Sequence, residues 1–253
     1  MNRIQDYKSL TIDMVGWLCK YAHDNNVDSF VVGVSGGIDS AVASTLAVRT
    51  GLPTYVIGMP LNQNIEQETL SDAHMFWLAK NYPNVKHLKA DLSESYAKLM
   101  SDLTNEFGLE YTGNPLAKAN TKSRLRMVTL YHVAANVGGI VVGTGNKVED
   151  YGVGFYTKYG DGGVDIAPIA DLYKSEVREL GRELGVIPEI INATPTDGLW
   201  EDGRNDEDQI GASYEQLEEA METGAGPGLE ILQKFNAQNK HKMDPIPTYK
   251  LEV

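Results

Sequence analysis

Cysteine is nearly absent from this sequence of 253 residues, which contains only Cys19. A single cysteine excludes an internal disulfide and a metal site built from several thiolates. Its neighbours Trp17 and Leu18 are apolar, so a structural thiol is favoured over a nucleophile. Long apolar runs are also lacking: no segment reaches the roughly 18 residues of a membrane span, and the first residues lack a signal-peptide core. We therefore expect a cytoplasmic protein with no membrane partner.

Positive charge is scarce as well. The sequence has 22 Lys and Arg residues against 35 Asp and Glu residues, which gives a formal net charge of −13. Nucleic acid is therefore not expected as a partner, because binding it requires a surface with excess positive charge. An anionic ligand would have to be bound by local groups and by a metal ion. The hydrophobic fraction of 42% is ordinary for a chain long enough to bury a large core.

Glycine marks the most informative segment, residues 33–40, which reads Gly-Val-Ser-Gly-Gly-Ile-Asp-Ser. A β-branched run precedes it and an alanine-rich run follows it, so the pattern predicts a strand, a glycine turn and the start of a helix. Such a turn binds anions, because glycine allows close approach and the first helical N–H groups are unpaired. The Walker lysine and the G-x-G-x-x-G pattern are both missing from this turn. Asp39 would repel a phosphate, so we expect Mg²⁺ to bridge the two.

Strand-like and helical patterns alternate along the chain. Strands are predicted near residues 30–34, 54–58, 85–88, 139–143 and 164–169. Helices are predicted near residues 4–23, 38–49, 66–81, 93–107, 120–137, 171–184, 214–222 and 228–238, with a long loop at 192–211. This alternation predicts an α/β fold with a doubly wound, mainly parallel five-stranded sheet flanked by helices. Ligands of such sheets bind at the carboxyl ends of the strands. No linker divides the sequence, so we expect residues 1–253 to form one domain.

Residues 35–40 resemble the S-G-G-x-D-S loop of the N-type ATP pyrophosphatases. Members of that family cleave ATP between its α- and β-phosphates, and the loop holds the departing pyrophosphate. The resemblance implies a fold like that of the adenine nucleotide alpha hydrolases.

Later segments make the resemblance more specific. Residues 143–149 and 157–163 resemble the G-T-x-N-x-x-E and T-K-Y-G-D-G-G segments of the ammonia-dependent NAD synthetases. Residues 120–127 resemble the N-x-x-x-R-x-R-M helix of that family, on which Asn120, Arg124 and Tyr131 share one face. Lys174, Thr196 and the pair His241 and Lys242 also match family positions in chain order.

The resemblance implies a role for each matched residue. The residues that would bind ATP are Gly33, Val34, Ser35, Gly36, Gly37, Ile38, Asp39, Ser40, Thr144, Lys174 and Thr196. The residues that would bind deamido-NAD are Asn120, Arg124, Tyr131, Lys158, Asp161, Asp165, His241 and Lys242. The catalytic residues would be Asp39, Lys174 and Asp161, and the Mg²⁺ ligands would be Asp39 and Glu149.

The implied reaction is the amidation of deamido-NAD (nicotinate adenine dinucleotide) by ammonia to give NAD. ATP would activate the nicotinate carboxylate as an acyl-adenylate, and AMP and pyrophosphate would be released. The sequence contains no segment resembling a glutaminase or nitrilase-like domain, so we expect the chain to use ammonia directly. The family also implies a homodimer.

Two other functions remain open at this stage. The chain could be another N-type pyrophosphatase, either like GMP synthetase or a tRNA-thiolating enzyme, although the latter usually has catalytic cysteines and a basic surface. It could also be a non-catalytic ATP-binding module. Three positions depart from the family pattern: Asn205 and Gln209 replace the usual Ser and Glu, and Gly58 stands where some members have an arginine.

Overall fold

The computed structural model describes residues 3–61, 65–196, 198–199 and 205–251. Its sheet consists of β1 (Ser29–Gly33), β2 (Thr54–Gly58), β3 (Val85–Lys89) and β4 (Gly139–Val141). The strands are parallel and lie in the order β3-β2-β1-β4. Phe30 pairs with Thr54 on one side and with Ile140 on the other, so β1 is an inner strand.

The α-helices of the described residues are α1 (Tyr7–Asp24), α2 (Ile38–Arg49), α3 (Ile65–Asn81), α4 (Ser93–Phe107), α5 (Leu109–Thr112), α6 (Pro115–Asn136), α7 (Lys174–Leu184), α8 (Pro188–Ile191), α9 (Asp206–Ile210), α10 (Tyr214–Thr223) and α11 (Leu229–Met243). A π-helix, Val148–Val153, follows β4. Within the ranges described, no helix is both long enough and apolar enough to cross a lipid bilayer.

The apolar residues of β1 explain the layered architecture. Phe30, Val31 and Val32 are all 0% exposed, and successive side chains of a strand point to opposite faces. Phe30 and Val32 pack with residues of α1, α2 and α7, whereas Val31 packs with residues of α6. Both faces of the sheet are therefore covered by helices, which is the usual setting of a parallel sheet.

The strand order places the functional loops. The chain runs outward from β1 to β2 and β3, and then returns to place β4 on the opposite side of β1. The carboxyl ends of β1 and β4 therefore lie side by side at the point where the winding direction reverses. Ligand-binding crevices of α/β sheets form at this switch point. The fold thus brings residues 34–37 close to residues 142–147.

The predicted α/β class and the parallel sheet flanked by helices are confirmed, but the predicted fifth strand is wrong. Residues 164–169 form a single parallel bridge, between Val142 and Ile166. The Asp165 side chain takes up the ladder position beside this bridge, because its Oδ2 accepts the N–H of Val141 at 2.8 Å. Pro168 follows, and it has no N–H to extend the pairing. Four strands therefore make up the sheet of the described residues.

Other element boundaries differ from the predicted ones, and the causes lie in the neighbouring residues. α6 begins at Pro115 instead of near residue 120, because Asn114 caps it by accepting the N–H of Ala117. α7 begins at Lys174 instead of residue 171. The segment expected to be a loop at 192–211 contains α9, and α5 lies between α4 and α6, where the sequence pattern predicted no helix. The π-helix is an element that the sequence pattern did not predict.

Candidate active site

The loop between β1 and α2 is shaped by glycine. Gly36 has a φ of +91°, and a Cβ at this position would lie 2.4 Å from the carbonyl oxygen of Gln67. Only glycine fits this conformation and this space. Gly37 is the N-cap of α2 and provides no side-chain cap. The first N–H groups of α2 have no carbonyl earlier in the helix, so they can bind an anion.

Two serines stabilise this loop. Ser40 Oγ accepts the N–H of Ser35 at 3.1 Å and donates to the carbonyl of Gly37 at 3.0 Å. Ser35 Oγ lies 3.1 Å from Ser40 Oγ and accepts the N–H of Gly37 at 3.2 Å. Ser40 is buried and Ser35 is exposed. Ser40 therefore fixes the turn from inside, while Ser35 lies on the open side.

Lys174 is the centre of the site. Its side chain is only 3% exposed, and its Nζ donates to Asp39 Oδ2 at 2.5 Å and to Glu149 Oε1 at 2.9 Å. These residues come from α7, α2 and the π-helix, respectively. The structure thus brings together three residues that the sequence assigned to ATP and Mg²⁺. Their carboxylates lie at the switch point between β1 and β4.

Two buried residues orient the carboxylates. Asn146 donates through Nδ2 to Asp39 Oδ1 at 3.2 Å, and its Oδ1 accepts the N–H groups of Val148 and Glu149 at 3.1 Å each. Tyr214 donates its hydroxyl to Glu149 Oε1 at 2.6 Å. The Tyr214 ring centroid lies 4.9 Å from the ammonium nitrogen of Lys174, which is a cation–π contact. Both carboxylates are therefore held by neutral donors as well as by the lysine.

The start of α7 is anchored from three directions, and this anchoring positions its first residue, Lys174. Glu176 accepts the N–H of Tyr173 at 2.8 Å and closes a capping box. Arg3 binds the same glutamate through Nε at 3.0 Å. Glu218 of α10 accepts the N–H of Ser175 at 2.9 Å. The helix therefore has carboxylates at its N-terminus, where the helix dipole favours negative charge.

Burial and mutual charge set the protonation of the site. Burial raises the pKa of Asp39, and the Lys174 ammonium opposes this shift. Burial also acts to raise the pKa of Glu149, but Lys174 and the Tyr214 hydroxyl outweigh it and lower the pKa. Burial acts to lower the pKa of Lys174, but the two carboxylates raise it. Burial and the charge of Glu149 raise the pKa of Asp150 to about 8.

The donor set fits a hard divalent cation completed by phosphate. Asp39 and Glu149 already converge on one positive group. Within the described ranges, no cluster of three or more His, Cys, Asp or Glu residues could hold a metal ion by itself. Mg²⁺ prefers one or two carboxylates together with phosphate oxygens and water. The residues present therefore fit Mg²⁺ bound together with a nucleotide.

A second group of polar residues surrounds Asp161. Its Oδ1 accepts the Ser123 hydroxyl and the N–H of Thr157, both at 2.8 Å. Thr157 in turn donates its hydroxyl to Asn120 Oδ1 at 2.8 Å. The network links α6 to the glycine-rich segment after the π-helix. Asp161 is exposed as a residue, but desolvation of its hydrogen-bonded carboxyl raises its pKa, and the hydrogen bonds from Ser123 and Thr157 oppose that shift.

Asp165 is tied into the sheet edge. Besides binding the N–H of Val141, its carboxylate accepts the Tyr131 hydroxyl at 3.0 Å through Oδ1. Burial and this hydrogen bond raise the pKa of Tyr131 to about 12. Both carboxylate oxygens of Asp165 thus have protein donors. Asp165 holds α6 against β4 in this structure.

The remaining residues assigned to deamido-NAD form a chain of contacts. Arg124 donates through Nε and Nη2 to the carbonyl of Lys158 at 3.3 Å. Lys158 donates through Nζ to the carbonyl of His241 at 2.8 Å. Lys242 donates to the carbonyls of Gly154 and Tyr156. The C-terminal part of α11 therefore lies against the segment that follows the π-helix.

The other residues assigned to ATP occupy the loops around this centre. Gly33 ends β1, Val34 follows it, and Thr144 is half-buried in the loop after β4. Thr196 Oγ1 accepts the N–H of Gly198 at 3.2 Å. The neighbouring Asp197 and Trp200, which belong to the same motif, lie outside the described residues.

Sequence reasoning missed two residues of the site. Asn146 lies inside the G-T-x-N-x-x-E motif, so its position in that motif was a signal that could have been used. Tyr214 gave no usable signal, because a tyrosine on the apolar face of a short helix is typical of core packing. Tyr214 is indeed buried at 2% exposure, and only the tertiary fold brings its hydroxyl to Glu149.

Comparisons with known proteins agree with this arrangement. The family model described as NAD synthase matches residues 10–245. An NH(3)-dependent NAD(+) synthetase from Carboxydothermus hydrogenoformans is 39% identical over 241 residues, covering 94% of this chain and 95% of that protein. The solved NMN synthetase from Francisella tularensis is similar at a TM-score of 0.87 and 33% identity, covering 98% of this chain and 100% of that one. The NAD+ synthetase from Burkholderia pseudomallei is similar at a TM-score of 0.74 and 25% identity, covering 94% and 90%.

The family model spans most of the chain, and the curated relative matches nearly end to end. The glycine loop, the two carboxylates and the buried lysine lie at the switch point of the sheet. The chain therefore belongs to the NAD synthase family.

Proposed function

We propose that this site amidates the nicotinate carboxylate of deamido-NAD with ammonia, at the cost of ATP. The observation that carries the proposal is the placement of Lys174 between Asp39 and Glu149, beside a glycine loop that can bind phosphate. Family membership supports the same reaction. The chain is thus a C–N bond-forming ligase.

The chemistry requires activation of a poor electrophile. A carboxylate cannot lose oxide, so its oxygen attacks the α-phosphorus of ATP, the bond to pyrophosphate breaks, and an acyl-adenylate forms. Ammonia then attacks the acyl carbon. AMP leaves, a proton is released, and the amide of NAD remains. The reaction requires no covalent bond to the protein.

The ATP half of the site stabilises the departing pyrophosphate. The loop at residues 34–40 provides backbone N–H groups for its oxygens. Lys174 provides a positive charge, and Thr144 and Thr196 provide hydroxyls within the surrounding loops. When bound by Asp39 and Glu149, Mg²⁺ would neutralise charge on the phosphates. Positioning and charge account for the rate enhancement in this scheme.

The other half positions the dinucleotide and ammonia. Asn120, Arg124 and Tyr131 on α6, with Lys158, would bind deamido-NAD, and His241 and Lys242 on α11 would border it. Asp161 would hold ammonium and accept its proton, supported by its hydrogen bonds from Ser123 and Thr157. Asp165 would act through Tyr131, which it orients.

The proposal includes a homodimer. Large apolar side chains are exposed along α4 to α6, namely Phe107 at 60%, Leu109 at 72%, Tyr111 at 74% and Leu116 at 58%. Exposed apolar surface of this kind is typical of an interaction face. A second copy of the chain is the occupant implied by the family resemblance. We also propose a cytoplasmic location, because ATP is available there and Cys19 would remain a thiol.

Nicotinate mononucleotide is a second candidate substrate. The solved NMN synthetase is similar at a higher TM-score and identity than the Burkholderia NAD+ synthetase. The amidation chemistry is the same for both substrates, because the reacting nicotinate carboxylate is the same. The two substrates differ in that deamido-NAD carries an additional adenylate group, which the site would have to bind.

An amidation assay tests the proposal and separates the two substrates. The purified full chain is given ATP, Mg²⁺ and ammonium with either deamido-NAD or nicotinate mononucleotide, and glutamine replaces ammonium in a parallel series. We expect NAD from deamido-NAD with ammonium and much less with glutamine. A higher kcat/KM for the mononucleotide would make it the substrate instead. Absence of amide product from both would contradict the proposal.

A further inference from the structure

The Lys174 ammonium and a divalent cation would compete for the same oxygen atoms. The Nζ of Lys174 lies 2.5 Å from Asp39 Oδ2 and 2.9 Å from Glu149 Oε1. Mg²⁺ binds carboxylate oxygens at about 2.1 Å, so an ion between these two oxygens would occupy the same space as the ammonium. Two positive groups at that separation repel each other strongly in a buried site.

Other contacts hold the carboxylates without competing for charge. Asp39 Oδ1 accepts from Asn146, and Glu149 Oε1 accepts from Tyr214. These donors are neutral, and a carboxylate oxygen can accept a hydrogen bond while it binds a metal ion. Lys174 is therefore the group that must move when a cation enters. Its side chain is 3% exposed, so the ammonium needs another anion before it leaves the carboxylates.

We propose that Lys174 is an exchangeable counterion that keeps Mg²⁺ out of the Asp39–Glu149 pair until the triphosphate of ATP draws the ammonium away. The proposal rests on the function proposed above, from which it takes the metal and the nucleotide. The phosphate-binding N–H groups of α2 follow directly after Gly37, and Asp39 lies in the first turn of that helix. Phosphate bound there would lie close to both Asp39 and its lysine partner. Mg²⁺ then enters together with ATP and not before it.

Metal-dependent thermal stability in the absence of nucleotide tests this directly. The purified full chain is compared with Lys174→Met and Lys174→Gln, each with and without MgCl₂ at constant ionic strength. Loss of the ammonium leaves two buried carboxylates without a cation, so both variants should melt at a lower temperature than the wild type. Mg²⁺ at millimolar concentration should raise the Tm of the variants by about 5 °C and that of the wild type by less than about 1 °C.

Two further variants serve as controls. Lys174→Arg keeps a positive charge between the carboxylates, so its Tm should respond to Mg²⁺ as weakly as that of the wild type. Lys20→Met removes one positive charge from α1, where Lys20 is 75% exposed and pairs with Asp24. Its response to Mg²⁺ should also equal that of the wild type. The controls separate a local exchange from a change in net charge.

Equal Mg²⁺ responses in the wild type and in both neutral variants would overturn the proposal. If the neutral variants are unfolded without metal, Mg²⁺ should restore their near-UV circular dichroism, and failure to do so would also overturn it. The readout needs neither nucleotide nor turnover. If the wild type forms NAD but its Mg²⁺ response equals that of the neutral variants, the counterion proposal is wrong and the proposed function is unaffected. If the wild type forms no NAD, the proposed function is wrong.

Discussion

A few buried charges decide the chemistry of the site. Asp39 and Glu149 have side chains that are each 16% exposed, and each contacts the same buried ammonium. Removing one member of a buried ion pair is costly, because the partner charge remains without compensation. Substitutions here should therefore change both stability and turnover, and conservative variants are the informative ones.

Asp39→Asn and Glu149→Gln should each lower kcat/KM for ATP by about 100-fold or more. The amide keeps the size of the side chain but removes the charge that binds Lys174 and the proposed Mg²⁺. Steady-state kinetics with deamido-NAD and ammonium measure the effect. Asp24→Asn is the control, because Asp24 is a surface residue at the end of α1. Unchanged kcat/KM in either site variant would remove that residue from the mechanism.

His74 should make the stability depend on pH. It is 0% exposed, its Nε2 lies 3.0 Å from Ser44 Oγ, and burial lowers its pKa to about 4 from the ordinary 6.5. The unfolded chain therefore binds a proton at a higher pH than the folded chain. The contribution is complete above about pH 6.5 and is lost as pH falls toward about 4, with a total of about 3 kcal/mol.

Urea unfolding at pH 7 and pH 5 measures this effect. His74→Gln should lose less stability than the wild type between pH 7 and pH 5, because glutamine does not titrate in this range. The difference between the two slopes measures the His74 contribution, since Asp150, whose pKa is raised to about 8, is present in both proteins. His132→Gln, on the exposed side of α6, is the matched control and should keep the wild-type slope. Equal slopes in His74→Gln and the wild type would contradict the assignment to His74.

Among the secondary-structure elements, the bounds were predicted correctly where residues close in the sequence determine them. The bounds predicted for β2 and α2 agree with the structure, because β-branched residues and a glycine turn specify them. The prediction of a fifth strand was wrong, because the Asp165 side chain accepts the N–H of Val141 beside the single bridge at Ile166. The π-helix was not predictable, since its register depends on tertiary contacts. In it the Asp150 carboxylate lies over Gly145, where a Cβ would be 2.2 Å from Oδ2.

Gly36→Ala should disable the loop between β1 and α2. The new Cβ would meet the Gln67 carbonyl oxygen at 2.4 Å in addition to the strain of a positive φ. Gly51→Ala is the control, because Gly51 has a φ of +81° and no atom within 4 Å of the added Cβ. We expect Gly51→Ala to cost about 1 kcal/mol of stability with normal turnover. Gly36→Ala should lose at least about tenfold in kcat/KM for ATP. Equal effects of the two substitutions would contradict this reading of the loop.

At the scale of the whole molecule, the topology decides where the site lies, and the sequence motifs decide what it contains. Asp39, Glu149 and Lys174 could be assigned from their motifs, and the strand order explains why they meet. Tyr214 could not be assigned, because its role depends on α10 packing against the π-helix. Tyr214, from a segment distant in the sequence, thus completes a site whose other residues lie in recognisable motifs.

The exposed apolar side chains of α4 to α6 predict a dimer in solution. Light scattering at micromolar concentration should give twice the mass of one chain. Tyr111→Glu should shift the protein toward the monomer, because Tyr111 is 74% exposed and a charge there would be buried by a second copy. Phe76→Glu on α3, where Phe76 is 68% exposed, is the control and should remain dimeric. A wild-type monomer would contradict the proposed assembly.

In the proposed mechanism, the Asp39–Lys174–Glu149 site binds the pyrophosphate that ATP releases when the nicotinate carboxylate is adenylated. Exchange of labelled pyrophosphate into ATP tests this most directly, because it reports adenylation alone and needs no ammonia. We expect exchange in the wild type that requires deamido-NAD and is lost in Asp39→Asn. Formation of ADP and phosphate instead, or exchange unaffected by Asp39→Asn, would contradict it.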